Sequence, residues 1–303
     1  MWLIFTLIVM LCWGAADLFY KKGSDENDSL SHLKIVVMVG FVMGVHGLVY
    51  MLVKGISFSI TDTIKYMPVS ACYILSMALG YFGLRYIELS VSSPVQNSSG
   101  AVVSILCVIF LRHIPDTHEI IGVLLVTAGL VWMGIEEKRV SDLEMKKAGI
   151  VPEKKYTVGL GAFMFPILYC LIDGLGTFAD ALYLNESAPI LSEDSALLAY
   201  EFTFFVCGVI ALLYITLVKK EKFVIREQKD RLLAAVFETA GQFAYVFIIG
   251  GNAFVAAPMV ASYCVVSVIL SAIFLKEKLS LRQYLIIAVV VLGIAALAIS
   301  EGL

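Results

Sequence analysis

The reading of the fold turns on AFVAAPMVASYCVVSVILSAIFL (Ala253–Leu275), 23 residues without one Asp, Glu, Lys or Arg. A helix rises about 1.5 Å per residue, so this run alone can cross the roughly 30 Å hydrocarbon core of a bilayer. An earlier run, SVSSPVQNSSGAVVSILCVIFL (Ser90–Leu111), repeats its layout. With Pro94 set on Pro258, an offset of 164, Leu106 meets Leu270, Ile109 meets Ile273 and Phe110 meets Phe274. Leu111 then meets Leu275 and Gly129 meets Gly293, all without a gap. One residue out of that register, Asp17 meets Asp180 and Trp13 meets Gly176. The chain carries two related halves.

Outward from these runs, the 303 residues are 60% hydrophobic and only 16% charged, with a mean hydropathy of +0.91. Soluble domains are about a quarter charged, and one core of this size could not hide so much apolar surface. Lipid must be part of the solvent. The net charge of −3 is small, and with no basic arm or stripe no nucleic-acid partner is expected. The six cysteines (Cys12, Cys72, Cys107, Cys170, Cys207, Cys264) stand singly in apolar runs, which reads as packing rather than a disulfide or zinc framework. Met1 to Leu11 is apolar but has no basic residue before it and no A-x-A site after it, so a retained first span is expected.

Windows of about 20 residues predict about ten spans. They run approximately over 2–20, 33–53, 66–87, 90–111, 118–135, 158–184, 195–218, 231–250, 253–275 and 281–300. The expected organisation is a first five-helix repeat over 1–137, a charged linker over 138–156 and a second five-helix repeat over 157–303. An odd number of spans per repeat forces opposite orientations in the bilayer, which is the layout of many carriers. The expected class is therefore an all-α membrane protein with ten transmembrane helices in two inverted repeats.

Val255-Ala-Ala-Pro-Met with Val266-Ser-Val-Ile-Leu-Ser-Ala-Ile-Phe-Leu-Lys-Glu-Lys-Leu-Ser-Leu-Arg-Gln, followed by Gly293, resembles the signature of EamA-type carriers of the drug/metabolite transporter superfamily. Ser93-Pro94, Phe110-Leu111, Gly122 and Gly129 resemble the first-half copy, and Trp13-Gly-Ala-Ala-Asp17 resembles the family's opening helix. The turn at Lys276–Ser280 departs from its counterpart, Arg112-His-Ile-Pro-Asp116. The resemblance implies a ten-helix fold around a central cavity and secondary transport without ATP; the chain has no GxxxxGK[ST]. About 19 of the 22 Lys and Arg fall in the loops after odd-numbered spans, which by the positive-inside rule puts both termini outside. The resemblance implies the reverse.

Ionisable groups inside a span cost roughly 2.5–3.5 kcal/mol each on insertion scales, so each needs a reason. Asp17, Asp173, Asp180, Glu201 and Glu238 qualify, with no Lys or Arg comparably deep. Acids without bases disfavour an anionic cargo and suit a cation, a zwitterion or protons. Glu238, Gln242 and Tyr245 fall at i, i+4 and i+7, one polar stripe on one helix. Gln96 and Asn97 lie within a dense polar run, Ser90 to Gly100, that lipid would not tolerate. Trp13, Tyr73 and Tyr263 complete the expected substrate-binding set with Asp17, Asp173, Asp180, Gln96, Asn97, Glu238, Gln242 and Tyr245. Pro94 and Pro258 free backbone carbonyls that a substrate could use. His113, Asp116, His118 and Glu119 share a short loop, read as a solvated turn rather than a metal site.

These features predict a carrier of a small polar metabolite, an amino acid or amine, with protons as the candidate coupling ion. No catalytic residue, metal or cofactor is expected, and the partners are a small molecule and the lipid bilayer. The protein is expected in the cell membrane of a prokaryote, as a monomer or homodimer. Two other classes stay open at this point: an intramembrane enzyme, although HExxH and GxSxG are missing, and a non-transporting receptor or scaffold.

Overall fold

A computed structural model describes residues 2–23, 28–83, 95–147, 164–274, 276 and 279–302. Among them there are helices and turns and no strand. The helices are α1 (Trp2–Gly23), α2 (Ser31–Lys54), α3 (Ile60–Gly83), α4 (Ser99–Phe110), α5 (Thr117–Lys147), α6 (Met164–Tyr183) and α7 (Glu193–Leu213). After them come α8 (Lys229–Ile249), α9 (Ala253–Ala261), α10 (Tyr263–Phe274) and α11 (Leu281–Ser300).

Eight stretches among the described residues are helical, long and apolar enough to cross a membrane, Ala253–Phe274 being one of them. The protein is an integral, multi-pass membrane protein. Side chains such as Leu52, Val53, Leu217 and Leu281 are more than two-thirds exposed, as lipid-facing residues are. The predicted third span begins earlier, at Ile60, where the Ser59 hydroxyl accepts the Asp62 N–H at 3.1 Å. The predicted fourth span is described as a shorter apolar helix, Val95–Phe110; Ser90, Ser92, Ser93 and Pro94 lie outside the described residues. α5 continues to Lys147, through the first part of the stretch expected as a linker. Glu136 there accepts from Arg139 one turn on, at 3.3 Å.

The chain divides into two compact units, each drawing on both halves of the sequence. The first unit holds Met1–Ser70, Asp180–Gly251 and Val266–Leu275. In it α1 packs along α8, and α2 along α7 and α8. Glycines set the approach. Gly40 and Gly208 face one another so that a Cβ on Gly208 would stand 3.1 Å from the Gly40 Cα, and a Cβ on Gly44 would collide with the Phe205 ring. Small residues let helix backbones close to van der Waals contact, which is the main attraction available in lipid.

The second unit holds Ala71–Ala179, Asn252–Val265 and Lys276–Leu303. There α5 packs on α11 and α4 on α9. The α5–α11 contact is reciprocal: Gly129 receives Val290, and Gly293 receives Val126, with both pairs related by the offset of 164. The divergent turns also match. Arg112 (φ 53°) and Lys276 (φ 58°) both adopt the left-handed conformation. Asp116 and Glu119 then exchange side-chain-to-backbone hydrogen bonds of 2.9 Å, as Ser280 and Gln283 do at 2.8 and 3.2 Å. Each is a capping box starting the next helix, so two different sequences build one turn.

Pro258 cannot donate to the Phe254 carbonyl one turn back. Ser104 of α4 fills that role, its hydroxyl donating to the Phe254 oxygen at 2.9 Å. Gly100 lets the helices meet, since a Cβ there would lie 2.8 Å from the Pro258 Cα. The carbonyl expected to await a substrate is thus already bonded within the unit.

Candidate functional site

The expected binding residues fall into two sets. Trp13, Asp17, Asp180, Glu238, Gln242 and Tyr245 belong to the first unit, and Tyr73, Gln96, Asn97, Asp173 and Tyr263 to the second.

In the first unit the stripe on α8 is built as its spacing predicts and is covered by α1. The Trp13 indole N–H donates to the Glu238 carbonyl at 3.4 Å, and its ring lies 5.3 Å from that of Tyr245, tilted by 38°. Gly241 makes this possible, because any side chain there would strike the indole. Gln242 is 3% exposed, and its amide nitrogen has no hydrogen-bond partner among the described residues. A buried amide without a partner costs about 1–3 kcal/mol. Glu238 and Asp17 are half-buried, the latter one turn along α1 from Trp13.

Asp180 is different. It is fully buried and accepts the hydroxyl of the equally buried Tyr66 at 2.5 Å, with the Tyr183 ring edge-on to Tyr66. This carboxyl ties α3 to α6 and has no exposed surface.

A second buried acid, Glu201, meets a histidine in the same unit. His46 of α2 places Nδ1 2.7 Å from Oε1 of Glu201 on α7. Glu201 is completely buried, and its other oxygen has no partner among the described residues. His46 borders a cavity of about 430 Å³ whose walls are otherwise almost wholly apolar. The available signal was complementarity: mid-span His46 on one helix and Glu201 on another each needed a partner.

In the second unit Asp173 of α6 accepts from Ser76 at 3.4 Å and is hydrogen-bonded to Ser99. One turn on, Thr177 accepts from the Tyr73 hydroxyl at 3.2 Å. Gly174 and Gly176 bring α4 and α3 close: a Cβ on the first would lie 2.8 Å from Val102 and on the second 2.9 Å from Cys72. Asn97 is buried near the start of α4, while Gln96 and Tyr263 are half-buried. The His113 loop is an anchored turn. Glu119 accepts from His113 Nε2 at 3.0 Å and from Asn252 at 3.0 Å, and Asn252 also donates to Glu301 at 2.7 Å. Among the described residues no group of three His, Cys, Asp or Glu is placed to hold a metal.

No curated protein sequence matches the chain. A solved crystal structure superimposes on it with a TM-score of 0.73, covering 98% of this chain and 96% of its own at 11% identity, a likeness of fold alone. The model of the EamA-like transporter family matches residues 1–135 and again residues 160–299. Between them these matches take in nearly the whole chain, including both copies of the Pro-led helix, the Trp13 segment and the α8 stripe. The protein belongs to the EamA-like transporter family, within the drug/metabolite transporter superfamily.

Proposed function

We propose that the protein is a secondary carrier that moves a small amine, amino acid or similar zwitterion by alternating access. The observation that carries this reading is the α8 stripe. Glu238 offers a half-buried carboxylate to an ammonium group, Gln242 holds an unmatched amide, and Trp13 and Tyr245 stack beside them. An ammonium over an aromatic face and beside a carboxylate gains from both. In the second unit Asp173, with its two serine donors, is the other acid we assign to solute or proton handling.

Ten spans in two inverted repeats remain our reading of the topology. Support comes from the double match of the family model, the paired capping boxes and the reciprocal Gly129–Val290 and Gly293–Val126 contacts. Reciprocity of this kind is what a two-fold axis between related elements produces. We place the carrier in a prokaryotic cell membrane.

The test is a thermal-shift screen of amines and amino acids on purified protein, followed by uptake of the best binder into proteoliposomes. Glu238→Gln is expected to abolish both stabilisation and uptake while leaving the ligand-free melting temperature within a few degrees. Unchanged uptake by Glu238→Gln would remove the acid from the site.

A further inference from the structure

We propose that His46 and Glu201 form a proton-binding site inside the membrane, separate from the α8 stripe and loaded through the imidazole Nε2. The geometry fixes one proton already. At 2.7 Å, Nδ1 and Oε1 must share a hydrogen, which leaves Nε2 as the open position. In the one-proton form the pair carries one negative charge. A second proton, taken from water onto the Nε2 lone pair, gives an imidazolium–carboxylate pair with no net charge. No other bond changes.

The surroundings favour the second proton. Glu201 has no exposed surface, and its Oε2 finds no donor among the described residues. It rests against the α2 backbone, where a Cβ on Gly47 would stand 2.9 Å away. A carboxylate charge held by a single donor in such a place is costly, and a cation on the imidazole offsets it. Among the described residues, the elements packed around the pair supply no other cation at that depth. From α2, Val42 lies below and Tyr50 one turn above, the latter donating to Asp194 of α7 at 2.6 Å. The Lys54 ammonium lies over the Tyr50 ring at the end of α2, and Glu193 stands beside Asp194. The walls from α1 and α8 are Phe5, Ile8, Thr239 and Phe243, none of them titratable in water's range. His46 keeps 32% of its side chain exposed, so the ring is not sealed in as Glu201 is.

The site lies on the α2–α7 seam, so loading it alters the charge between two helices that meet through Gly40, Gly44 and Gly208. If the carrier reading is right, this is where a proton couples to the cycle; the proton site itself does not depend on that reading.

The experiment labels the four histidines with ¹⁵N in protein reconstituted in phosphatidylcholine nanodiscs, and titrates them by NMR from pH 4 to 10. His46→Gln assigns the signal. Nε2 of His46 should pass from bare to protonated within that range while Nδ1 stays protonated. Glu201→Gln should weaken proton binding by about tenfold or more. Should that variant not fold, Gly47→Ala, which displaces the carboxylate without altering any ionisable group, serves with the same expectation. A His46 ring that never changes protonation, or one whose midpoint ignores both variants, overturns the proposal. Thermal-shift results with Glu238→Gln are read on other residues, so the failure of one account leaves the other standing.

Discussion

Asp180 and Glu201 lie in the same unit, each with no exposed surface, and each takes a short hydrogen bond from a ring on another helix. Their partners separate them. Tyr66 is buried, and a phenol ordinarily holds its proton up to about pH 10, so its bond to Asp180 fastens α3 to α6 without changing charge. An imidazole has a second nitrogen that can take a proton, and His46 borders a cavity, so the same burial of Glu201 creates a group whose charge can change. Burial alone therefore does not distinguish a working acid from a structural one. The chemistry and accessibility of the donor do.

The comparison is broken most forcefully at Tyr66. Tyr66→Phe removes a hydrogen bond to a fully buried carboxyl and should cost about 3 kcal/mol, read as unfolding in detergent. The loss should be the same at pH 5.5 and 8. His46→Gln should show a loss that varies with pH, because only that partner can change charge.

Glycines give the next effect. A Cβ on Gly40 would collide with the backbone carbonyl of Phe204, whereas on Gly47 it meets only the movable end of Glu201. Gly40→Ala should cost about 2 kcal/mol and Gly47→Ala less, since overpacking is most expensive where neighbours cannot yield. Chemical unfolding of both variants checks the order.

A third acid extends the series to the water boundary. Asp28 precedes α2, and burial pushes its carboxyl up, but the Lys34 ammonium at 2.8 Å, the Leu30 N–H at 3.0 Å and Arg231 together hold it below the usual carboxylate range. A depressed value means the stabilisation is present above about pH 4 and disappears as pH falls further. Stability measured from pH 7 to 3 should therefore drop less for Asp28→Asn than for the natural protein. The effect is small, because the pair is partly open to water.

Much of this was legible in the sequence, for identifiable reasons. Spans follow from lipid's demand for about 20 apolar residues, and the α8 stripe from helical spacing. The start of α3 was missed because the Ser59–Asp62 cap carries no hydropathy signal. The extension of α5 was missed because Glu136 to Lys147 is polar yet strongly helix-forming. Gln242 announced itself through its stripe, but its unmatched amide depends on what α1 brings over it. The His46–Glu201 pair was out of reach, since it needs the glycine contacts that set α2 against α7.

The most direct measurement is counterflow. Proteoliposomes preloaded with the unlabelled best-binding amine or amino acid are diluted into a trace of the labelled compound. An alternating-access carrier predicts a transient accumulation of label above equilibrium that disappears in Glu238→Gln. Saturable binding without any such overshoot would contradict the account.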